Sequence, residues 1–256
     1  MSSVLEVEGV AKYFGGVRAL DGVSLKVPEK GLVGLIGPNG SGKTTLFNVV
    51  TGFYVPDKGE ILFRESRDLV RIDGLNPNEV FRRGIVRTFQ IPRLFNSLTV
   101  LENLLVTPLG QRGESPARAL FRSSWSKQEM ELARKAVELL KMFGMLHYAH
   151  SKVSELSVAH IKMLETIRGL MTPAKLYLLD EPAAGVDYSM ARKLFTYVKR
   201  LRDELGLTFF IIEHRLEILM EFVDYVYVLH NGKLLSEGKP QEVVSDPKVV
   251  EAYIGA

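Results

Sequence analysis

Hydrophobic and polar residues alternate near the N-terminus of the chain. Leu5 and Val7 lie on one face of an extended segment, and residues 23–27 repeat the same spacing of apolar side chains. A period of two predicts half-buried antiparallel strands. Residues 60–63 predict a further strand of the same kind. The N-terminal region is therefore expected to form an antiparallel sheet.

Continuous apolar runs replace this alternation further along the chain. The runs at residues 32–36, 175–179 and 207–212 are short, and glycine-rich or charged segments follow them. Such runs are typical of strands that are buried on both faces, as in a parallel sheet. Residues 189–205 have helical spacing and separate two of the runs. This alternation of strands and helices predicts an α/β core.

A hairpin is predicted close to the C-terminus. Residues 225–229 and 233–235 are strand-like, and Asn231-Gly232 stands between them. An Asn-Gly pair favours the tight turn that joins two antiparallel strands.

The middle of the chain has a different pattern. Residues 107–130 are rich in glycine, proline, serine and basic side chains, which indicates loop and helix cap. From 127 to 143 apolar residues such as Leu132 and Leu140 recur at helical spacing. We therefore expect residues 92–165 to form a mostly helical subdomain, inserted into a core made of residues 1–91 and 166–256.

Composition narrows the possible functions. The chain has 256 residues, of which 46% are hydrophobic and 25% charged, as in an ordinary globular protein. Its net charge of +3 is spread without a basic cluster, so no nucleic-acid partner is expected. The absence of cysteine excludes disulfides and thiol catalysis. No apolar run approaches the roughly 20 residues of a membrane helix and no signal peptide is recognisable, so we expect a soluble chain.

A glycine-rich loop follows the first buried run. Residues 37–44 fit the pattern G-x-x-x-x-G-K-[ST] between a predicted strand and a predicted helix. Glycines let the backbone N–H groups point at phosphates, and the helix N-terminus adds positive potential. Lys43 would contact the β- and γ-phosphates, and the Thr44 hydroxyl is the expected Mg²⁺ ligand. The residues expected to hold the nucleotide here are Gly37, Pro38, Asn39, Gly40, Ser41, Gly42, Lys43, Thr44 and Thr45.

The loop alone leaves the class of nucleotide-binding protein open. Kinases, GTPases and motor ATPases all remain possible, and a glycine-rich turn with an incidental lysine is the structural alternative. Asp180 and Glu181 narrow the choice, because they end the buried run at residues 175–179. At the C-terminal edge of a parallel sheet, Asp180 can bind Mg²⁺ and Glu181 can act as the general base for water. Without a phosphate loop they would be ordinary exposed carboxylates.

The order of six motifs resembles the ATPases of the ATP-binding-cassette (ABC) family. These are residues 37–44, Gln90, Leu156-Ser157, residues 179–182, residues 185–187 and His214, and the resemblance covers essentially the whole chain. It implies an α/β P-loop NTPase cassette with an N-terminal antiparallel β subdomain and an inserted helical subdomain. It also implies ATP and Mg²⁺ as ligands.

The resemblance assigns roles to residues that are uninformative alone. Phe14, with Tyr13 as the alternative, resembles the aromatic residue that stacks on adenine. Gln90 resembles the glutamine that contacts Mg²⁺ and links the two subdomains. Asp187 resembles the aspartate of a loop that crosses the dimer interface, although alone it predicts a helix N-cap. His214 resembles the histidine that contacts the γ-phosphate. Without the family pattern, Phe14 would be a core aromatic, and Gln90 and His214 ordinary polar residues.

One motif departs from the family pattern. Residues 156–160 stand where the family usually has L-S-G-G-Q, and here Val158, Ala159 and His160 follow Ser157. In the family this segment caps the γ-phosphate of the partner subunit's ATP. Ser157 keeps the hydroxyl and the helix N-terminus remains. Side chains at 158 and 159 restrict close approach, which weakens the expected second half-site.

Further segments resemble the ATPases of branched-chain amino-acid importers. They are residues 87–90, 93–95, 98–100, 102–106, 181–185, 212–214 and 250–255. The subfamily often departs from the usual signature and pairs two different ATPases, and its substrates extend to urea and amides. The resemblance implies a peripheral subunit on the cytoplasmic face of the membrane. Its partners would be transmembrane permease subunits, a second ATPase subunit in a homodimer or heterodimer, and indirectly a substrate-binding protein.

The implied mechanism is ATP-driven closure of a dimer, which drives a permease. Three alternatives remain. An ATPase for lipid or lipopolysaccharide export has a similar cassette, but residues 87–106 favour the importer. ABC ATPases of DNA repair or translation usually carry two cassettes or a long coiled coil. A nucleotide-binding partner of low activity would explain the altered signature, but the retained Lys43, Asp180, Glu181 and His214 favour catalysis.

Overall fold

The computed structural model describes residues 2–89, 93–115, 120–121, 123 and 125–254. Its strands are, in chain order, β1 (Ser3–Phe14), β2 (Val17–Pro28), β3 (Leu32–Ile36), β4 (Lys58–Glu65), β5 (Asp68–Arg71), β6 (Ile85–Arg87), β7 (Leu176–Asp180), β8 (Phe209–Ile212), β9 (Tyr225–His230) and β10 (Lys233–Gly238). Its α-helices are α1 (Lys43–Val50), α2 (Pro77–Arg82), α3 (Val100–Leu105), α4 (Ser126–Met142), α5 (Val158–Leu170), α6 (Tyr188–Leu205), α7 (Leu216–Phe222), α8 (Pro240–Val244) and α9 (Pro247–Ile254). Short 3-10 turns lie at Arg112–Glu114, Leu146–Tyr148 and Val153–Glu155.

The N-terminal strands form the antiparallel sheet that their alternation predicts. Its order is β2-β1-β4-β5, and β1 pairs with both β2 and β4. Leu5 lies opposite Val27 on one side and Phe63 on the other, and all three side chains are buried. The alternating apolar residues therefore share the face that packs on the rest of the protein.

The second sheet carries the buried runs. Its order is β10-β9-β3-β8-β7-β6, and all neighbouring pairs from β9 to β6 are parallel. β10 adds an antiparallel edge through the predicted hairpin, and Asn231 and Gly232 have φ angles of 48° and 75° as a tight primed turn requires. The ends of these strands differ from the predicted ends by up to three residues, the largest difference being at the end of β10.

Both faces of the parallel sheet are covered. Leu32 and Ile36 of β3 pack into a cluster with the helices, whereas Val33 and Leu35 face a second cluster formed with the antiparallel sheet. β8 alternates in the same way. Two-sided burial explains why these strands are continuously apolar and fixes their ends rigidly. In the described part of the chain, no helix is both long enough and apolar enough to cross a membrane.

The middle of the chain is helical. α4 matches the helix predicted at 127–143, and it packs with α3, which in turn packs with α5. α5 begins at Val158 and continues to Leu170, so the expected subdomain boundary at 165 falls inside this helix. The other boundary, at 91 and 92, lies outside the described residues. The division into subdomains remains a prediction.

Candidate active site

The loop between β3 and α1 can be built only with glycine at two positions. Gly37 has φ 150°, and a Cβ atom there would lie 2.1 Å from the carbonyl oxygen of Leu229. Gly42 has φ 105°, and its Cβ would lie 2.5 Å from the carbonyl oxygen of Ala19. Both contacts are with backbone and cannot relax. The loop therefore keeps a tight curve beneath the start of α1.

Lys43 lies at the centre of this loop. Its Nζ atom donates hydrogen bonds to the carbonyl oxygens of Gly37, at 2.7 Å, and of Pro38, at 3.0 Å. Burial lowers the pKa of the Lys43 ammonium, while the carboxylates of Glu181 and Asp180 oppose this shift. A desolvated ammonium held by two carbonyl groups can exchange them for phosphate oxygens, which carry more charge.

The first turn of α1 is arranged to receive an anion. Gly42 is its N-cap and supplies no side-chain cap, so its first N–H groups are not satisfied by a capping side chain. Thr44 is exposed, and Thr45 is half-buried beside it. A helix N-terminus with these free donors adds positive potential to that of Lys43.

Asp180 is the last residue of β7 and is only 3% exposed. Its Oδ2 atom accepts a hydrogen bond of 2.7 Å from Arg87, whereas its Oδ1 atom is buried and has no hydrogen-bond partner among the described residues. A buried carboxylate oxygen is costly unless a donor or cation completes it. Hard oxygen ligands of this kind fit Mg²⁺, which takes few protein ligands when phosphates supply the others. The described residues contain no cluster of three or more His, Cys, Asp or Glu side chains that could hold a metal ion.

Glu181 follows Asp180 in a strained conformation. Its φ angle is +51°, which is unfavourable for a residue with a Cβ atom. Its backbone N–H donates to the carbonyl oxygen of Ile212 at 2.9 Å, so pairing with the end of β8 holds this conformation. The Glu181 Oε1 atom lies 2.9 Å from Nε2 of His214. His214 comes two residues after the end of β8, the strand next to β7. The predicted base and the predicted γ-phosphate contact are thus in direct contact.

Glu213 was not predicted to have a role of its own. Its carboxylate is buried and accepts the backbone N–H of Ala183 at 2.7 Å and that of His214 at 3.1 Å. Burial raises the pKa of Glu213. One side chain therefore ties the turn after Glu181 to the end of β8. Its place beside His214 is visible in the sequence, but its partners are not.

Glu165 is a second residue that sequence patterns did not single out. It lies in α5, and its Oε1 atom accepts the backbone N–H of Phe89 at 3.0 Å. Burial raises the pKa of Glu165. The contact joins the helical region to the segment that leads to Gln90. Gln90 itself, predicted to contact Mg²⁺, lies outside the described residues.

Phe14 ends β1 and has an exposed ring, with 42% of the residue accessible. It meets Tyr54 edge to face at 5.1 Å, and Lys12 Nζ lies 5.6 Å from its ring centroid. Tyr13, the alternative, is half-buried, and its backbone N–H is bonded to Asp57. Of the two rings, that of Phe14 has more open surface for a base.

The altered signature forms the start of α5. Ser157 is the N-cap, its Oγ atom accepting the His160 backbone N–H at 3.4 Å and lying 2.8 Å from His160 Nδ1. The imidazole of His160 packs against the ring of Tyr148 at 4.6 Å. Val158 is exposed and lies near Gly185. The side chain at 160 therefore contacts the predicted phosphate ligand of the signature.

Asp187 is the N-cap of α6. Its Oδ1 atom accepts the backbone N–H of Met190 at 3.1 Å and the hydroxyl of Ser189 at 2.6 Å. These bonds lower the pKa of Asp187. The capping role that its position predicts is present, and its role at a dimer interface remains a prediction.

A cleft of about 910 Å³ opens beside the phosphate loop. Its walls come from the loop, His214, the β9–β10 turn and helix α9. The predicted catalytic residues Lys43, Glu181 and His214 and the predicted metal ligand Asp180 lie at the edge of the parallel sheet where β3, β7 and β8 end. Ligands of open α/β sheets bind at this edge.

The fold and this edge define a P-loop nucleotide-binding cassette. The chain belongs to the ABC transporter family, because residues 20–184 match its family model. Residues 233–256 match a second model, described as the branched-chain amino acid ATP-binding cassette transporter.

Relatives that align with nearly the whole chain are named as branched-chain amino acid transport ATP-binding proteins. The probable branched-chain amino acid transport ATP-binding protein LivG of Methanocaldococcus jannaschii is 44% identical, over 98% of this chain and 97% of that protein. The high-affinity branched-chain amino acid transport ATP-binding protein LivG of Salmonella typhimurium is 37% identical, over 98% of each chain. These relatives favour the importer prediction over the export and low-activity alternatives.

Solved structures show the same cassette. A nucleotide-free ATP-binding cassette from an ABC transporter has a TM-score of 0.84 and 42% identity, with all of both chains covered. The dimeric post-hydrolysis cassette MJ0796 bound to ADP and Pi has a TM-score of 0.74 and 27% identity, over 92% of this chain and 98% of that one. The predicted fold class, an α/β P-loop ABC cassette with an antiparallel β subdomain, is confirmed.

Proposed function

We propose that the chain hydrolyses ATP as the nucleotide-binding subunit of an ABC importer for branched-chain amino acids. The observation that carries the catalytic part is the meeting of Lys43, Asp180 and the Glu181–His214 pair at one sheet edge. The relatives' names and the C-terminal family match support the substrate class.

Each residue has a task that its surroundings favour. Lys43 exchanges its carbonyl contacts for the β- and γ-phosphates. Thr44, Asp180 Oδ1 and Gln90 would hold Mg²⁺, which neutralises charge on the phosphate oxygens. Glu181 accepts the proton of the attacking water, and its contact with His214 keeps the carboxylate oriented. His214 can then donate to the γ-phosphate.

The remaining predicted contacts surround this centre. The exposed ring of Phe14 offers an adenine platform, since aromatic rings favour offset stacking. Ser157 and the N-terminus of α5 would cap the γ-phosphate of a partner subunit's ATP, and Asp187 would lie near that interface. ATP binding closes the dimer because these contacts exist only in the closed form.

The partners and the location follow from family membership. The chain would dock on permease subunits at the cytoplasmic face of the membrane and pair with a second ATPase subunit. A substrate-binding protein would act on it indirectly through the permease.

The first experiment measures Mg²⁺-dependent ATP hydrolysis against the concentration of the purified chain, with Glu181→Gln as the control. Activity that rises faster than linearly and is lost in the variant supports catalysis by a self-paired chain. Tight ATP binding without turnover at any concentration contradicts self-sufficient catalysis and requires a second subunit with an intact signature.

The substrate class needs the assembled importer. Reconstituted in vesicles with its permease and second ATPase, the chain should hydrolyse ATP faster when a binding protein loaded with leucine is added. Stimulation by urea or a short amide but not by leucine would contradict the proposed substrate and leave the ATPase proposal intact.

A further inference from the structure

Arg87 ends β6 and reaches two elements of the nucleotide site at once. One terminal nitrogen, NH2, donates to Oδ2 of Asp180 at 2.7 Å. The other, NH1, donates to Oδ1 of Asn48 at 2.7 Å and to Oγ1 of Thr51 at 3.2 Å, at the C-terminal end of α1. The guanidinium therefore bridges the helix of the phosphate loop and the acidic strand end.

The Arg87 side chain has little freedom to move. It is 5% exposed, and its Cζ atom lies 5.6 Å from the ring centroid of Phe47 and 5.3 Å from that of Phe89. Packing between two aromatic rings suits the planar guanidinium. The next residue, Thr88, accepts the backbone N–H of Asp180 at 3.2 Å. The end of β6 thus holds both the backbone and the side chain of Asp180.

The two carboxylate oxygens of Asp180 have different surroundings. Arg87 donates to Oδ2 of Asp180, and Oδ1 is buried with no hydrogen-bond partner in the described part of the chain. The guanidinium is itself held at Asn48 and makes a single charge-assisted hydrogen bond to Oδ2, which favours one orientation of the carboxylate. Only one oxygen then remains for a cation.

We propose that Arg87 is a positioning residue for the metal: it fixes Asp180 so that Oδ1 alone serves Mg²⁺. The proposal rests on the nucleotide site proposed above. One carboxylate oxygen supplies few of the ligands that Mg²⁺ requires, and the phosphates of a bound nucleotide would supply others. Mg²⁺ is therefore expected to bind together with a nucleotide.

The two ends of the Arg87 guanidinium lie at different distances from the nucleotide. NH1 contacts the C-terminal end of α1, whereas the phosphates are expected at the first turn of that helix. NH2 contacts the predicted metal carboxylate directly. Loss of Arg87 should therefore weaken the metal's contribution to nucleotide binding more than nucleotide binding itself.

The test compares ADP affinity with Mg²⁺ and with a chelator, in the wild type, Arg87→Met and Arg87→Lys. The ratio of the two ADP affinities measures how much Mg²⁺ contributes to ADP binding. Changing a group that holds a metal ligand typically costs about 10- to 100-fold in metal affinity, and we expect the ratio to fall by that order in Arg87→Met. Arg87→Lys should lose less, since an ammonium keeps the charge but lacks the fork. ADP affinity in the chelator should stay within about twofold, because Arg87 touches no phosphate-binding residue.

Arg71→Met is the matched control. Arg71, the last residue of β5, donates to both carboxylate oxygens of Asp73 at an exposed position, and its loss should leave the ratio unchanged. Mn²⁺ binding followed by electron paramagnetic resonance, with and without ADP, reads the metal directly. Thermal unfolding reports whether each variant folds. If Arg87→Met does not fold, the ratio measured for Arg87→Lys tests the proposal.

The outcomes separate the two proposals. An unchanged ratio in folded variants, or an equal fall with and without Mg²⁺, overturns the positioning role of Arg87. A wild-type chain that fails to bind ADP, and does not differ from Lys43→Ala, contradicts the proposed function instead.

Discussion

Nε2 of His214 lies 2.9 Å from Oε1 of Glu181, although the two residues follow different strands. β7 and β8 are adjacent and parallel, so their C-terminal ends present both side chains to the same point. The pair therefore behaves as a unit in which each member orients the other.

Substitution of both Glu181 and His214 should lower the rate of ATP hydrolysis little more than substitution of Glu181 alone. We expect Glu181→Gln to lower the rate of ATP hydrolysis by about 100-fold or more, the usual effect of losing a general base. His214→Ala should also lower it, and the double variant should fall no further than Glu181→Gln. Single-turnover hydrolysis measures this, and His150→Ala, an exposed histidine, is the control. Fully multiplicative effects would show that the two residues act independently.

The strained backbone of Glu181 predicts that a glycine variant is more stable than an alanine variant at this position. A residue with a Cβ atom at φ +51° costs about 1–2 kcal/mol relative to glycine. Glu181→Gly should therefore be more stable than Glu181→Ala by about 1 kcal/mol, whereas glycine is usually the less stable of the two. Urea unfolding of both variants measures the difference. Both lack the carboxylate, so its lost contacts cancel, and a more stable alanine variant would contradict strain at this position.

The ring of His160 predicts a pH-dependent stability. Burial lowers the pKa of His160 below the ordinary value of 6.5, and the nearby charges of His147 and Lys193 act in the same direction. The unfolded chain then takes up this proton at a higher pH than the folded chain, so stability is lost as the pH falls below 6.5. His160→Gln should reduce this loss. The free energy of unfolding above and below that pH, compared with His150→Gln, measures it, and equal losses in both variants would exclude His160.

The signature residues should affect pairing but not the chain's own ATP site. Val158→Gly combined with Ala159→Gly removes two side chains from the start of α5, where Val158 is 55% exposed. We expect unchanged ATP affinity at low protein concentration and hydrolysis that rises more steeply with concentration. The helix itself should lose at most about 1 kcal/mol per glycine, the cost relative to alanine in a helix interior, which circular dichroism melting can follow. A changed ATP affinity in the monomer would place the segment at the chain's own site.

The adenine contact can be assigned by two parallel substitutions. Phe14→Ala should weaken ATP binding by about 1–3 kcal/mol, the range measured for stacking of a base on an aromatic side chain. Tyr13→Ala should have a smaller effect, because its ring is half-buried. Binding of inorganic triphosphate, which lacks a base, is the control and should not change. A larger loss in Tyr13→Ala would reverse the assignment.

Local patterns predicted those parts of the molecule that depend on neighbours in sequence. The phosphate loop, the Asp180-Glu181 strand end and the Asn231-Gly232 turn each follow from a few adjacent residues, and the period of the apolar residues separated the two sheets. Short elements such as β6 and α3 were not predicted, because three to six residues carry too little periodicity.

Contacts between distant residues could not be predicted in the same way. The Arg87–Asp180 pair joins residues 93 positions apart, and neither flanking sequence specifies the other. The Ser157–His160 contact is local, but a histidine in place of the usual glutamine indicates only a departure, not a hydrogen bond. Asp180 and Glu181 followed from their place after a buried strand, whereas Phe14, Gln90, Ser157, Asp187 and His214 were assigned by family resemblance.

Helix α5 connects two contacts, one at its N-cap residue Ser157 and one at Glu165. Ser157 caps its first turn, and Glu165 holds the backbone of Phe89 about 12 Å further along, at 1.5 Å per residue. Because a helix changes little in length, we expect a rotation that moves Ser157 toward another subunit to move the backbone of Phe89 as well, through Glu165. The approach of a partner would then be transmitted toward Gln90 as a displacement of one helix, without rearrangement of the central sheet.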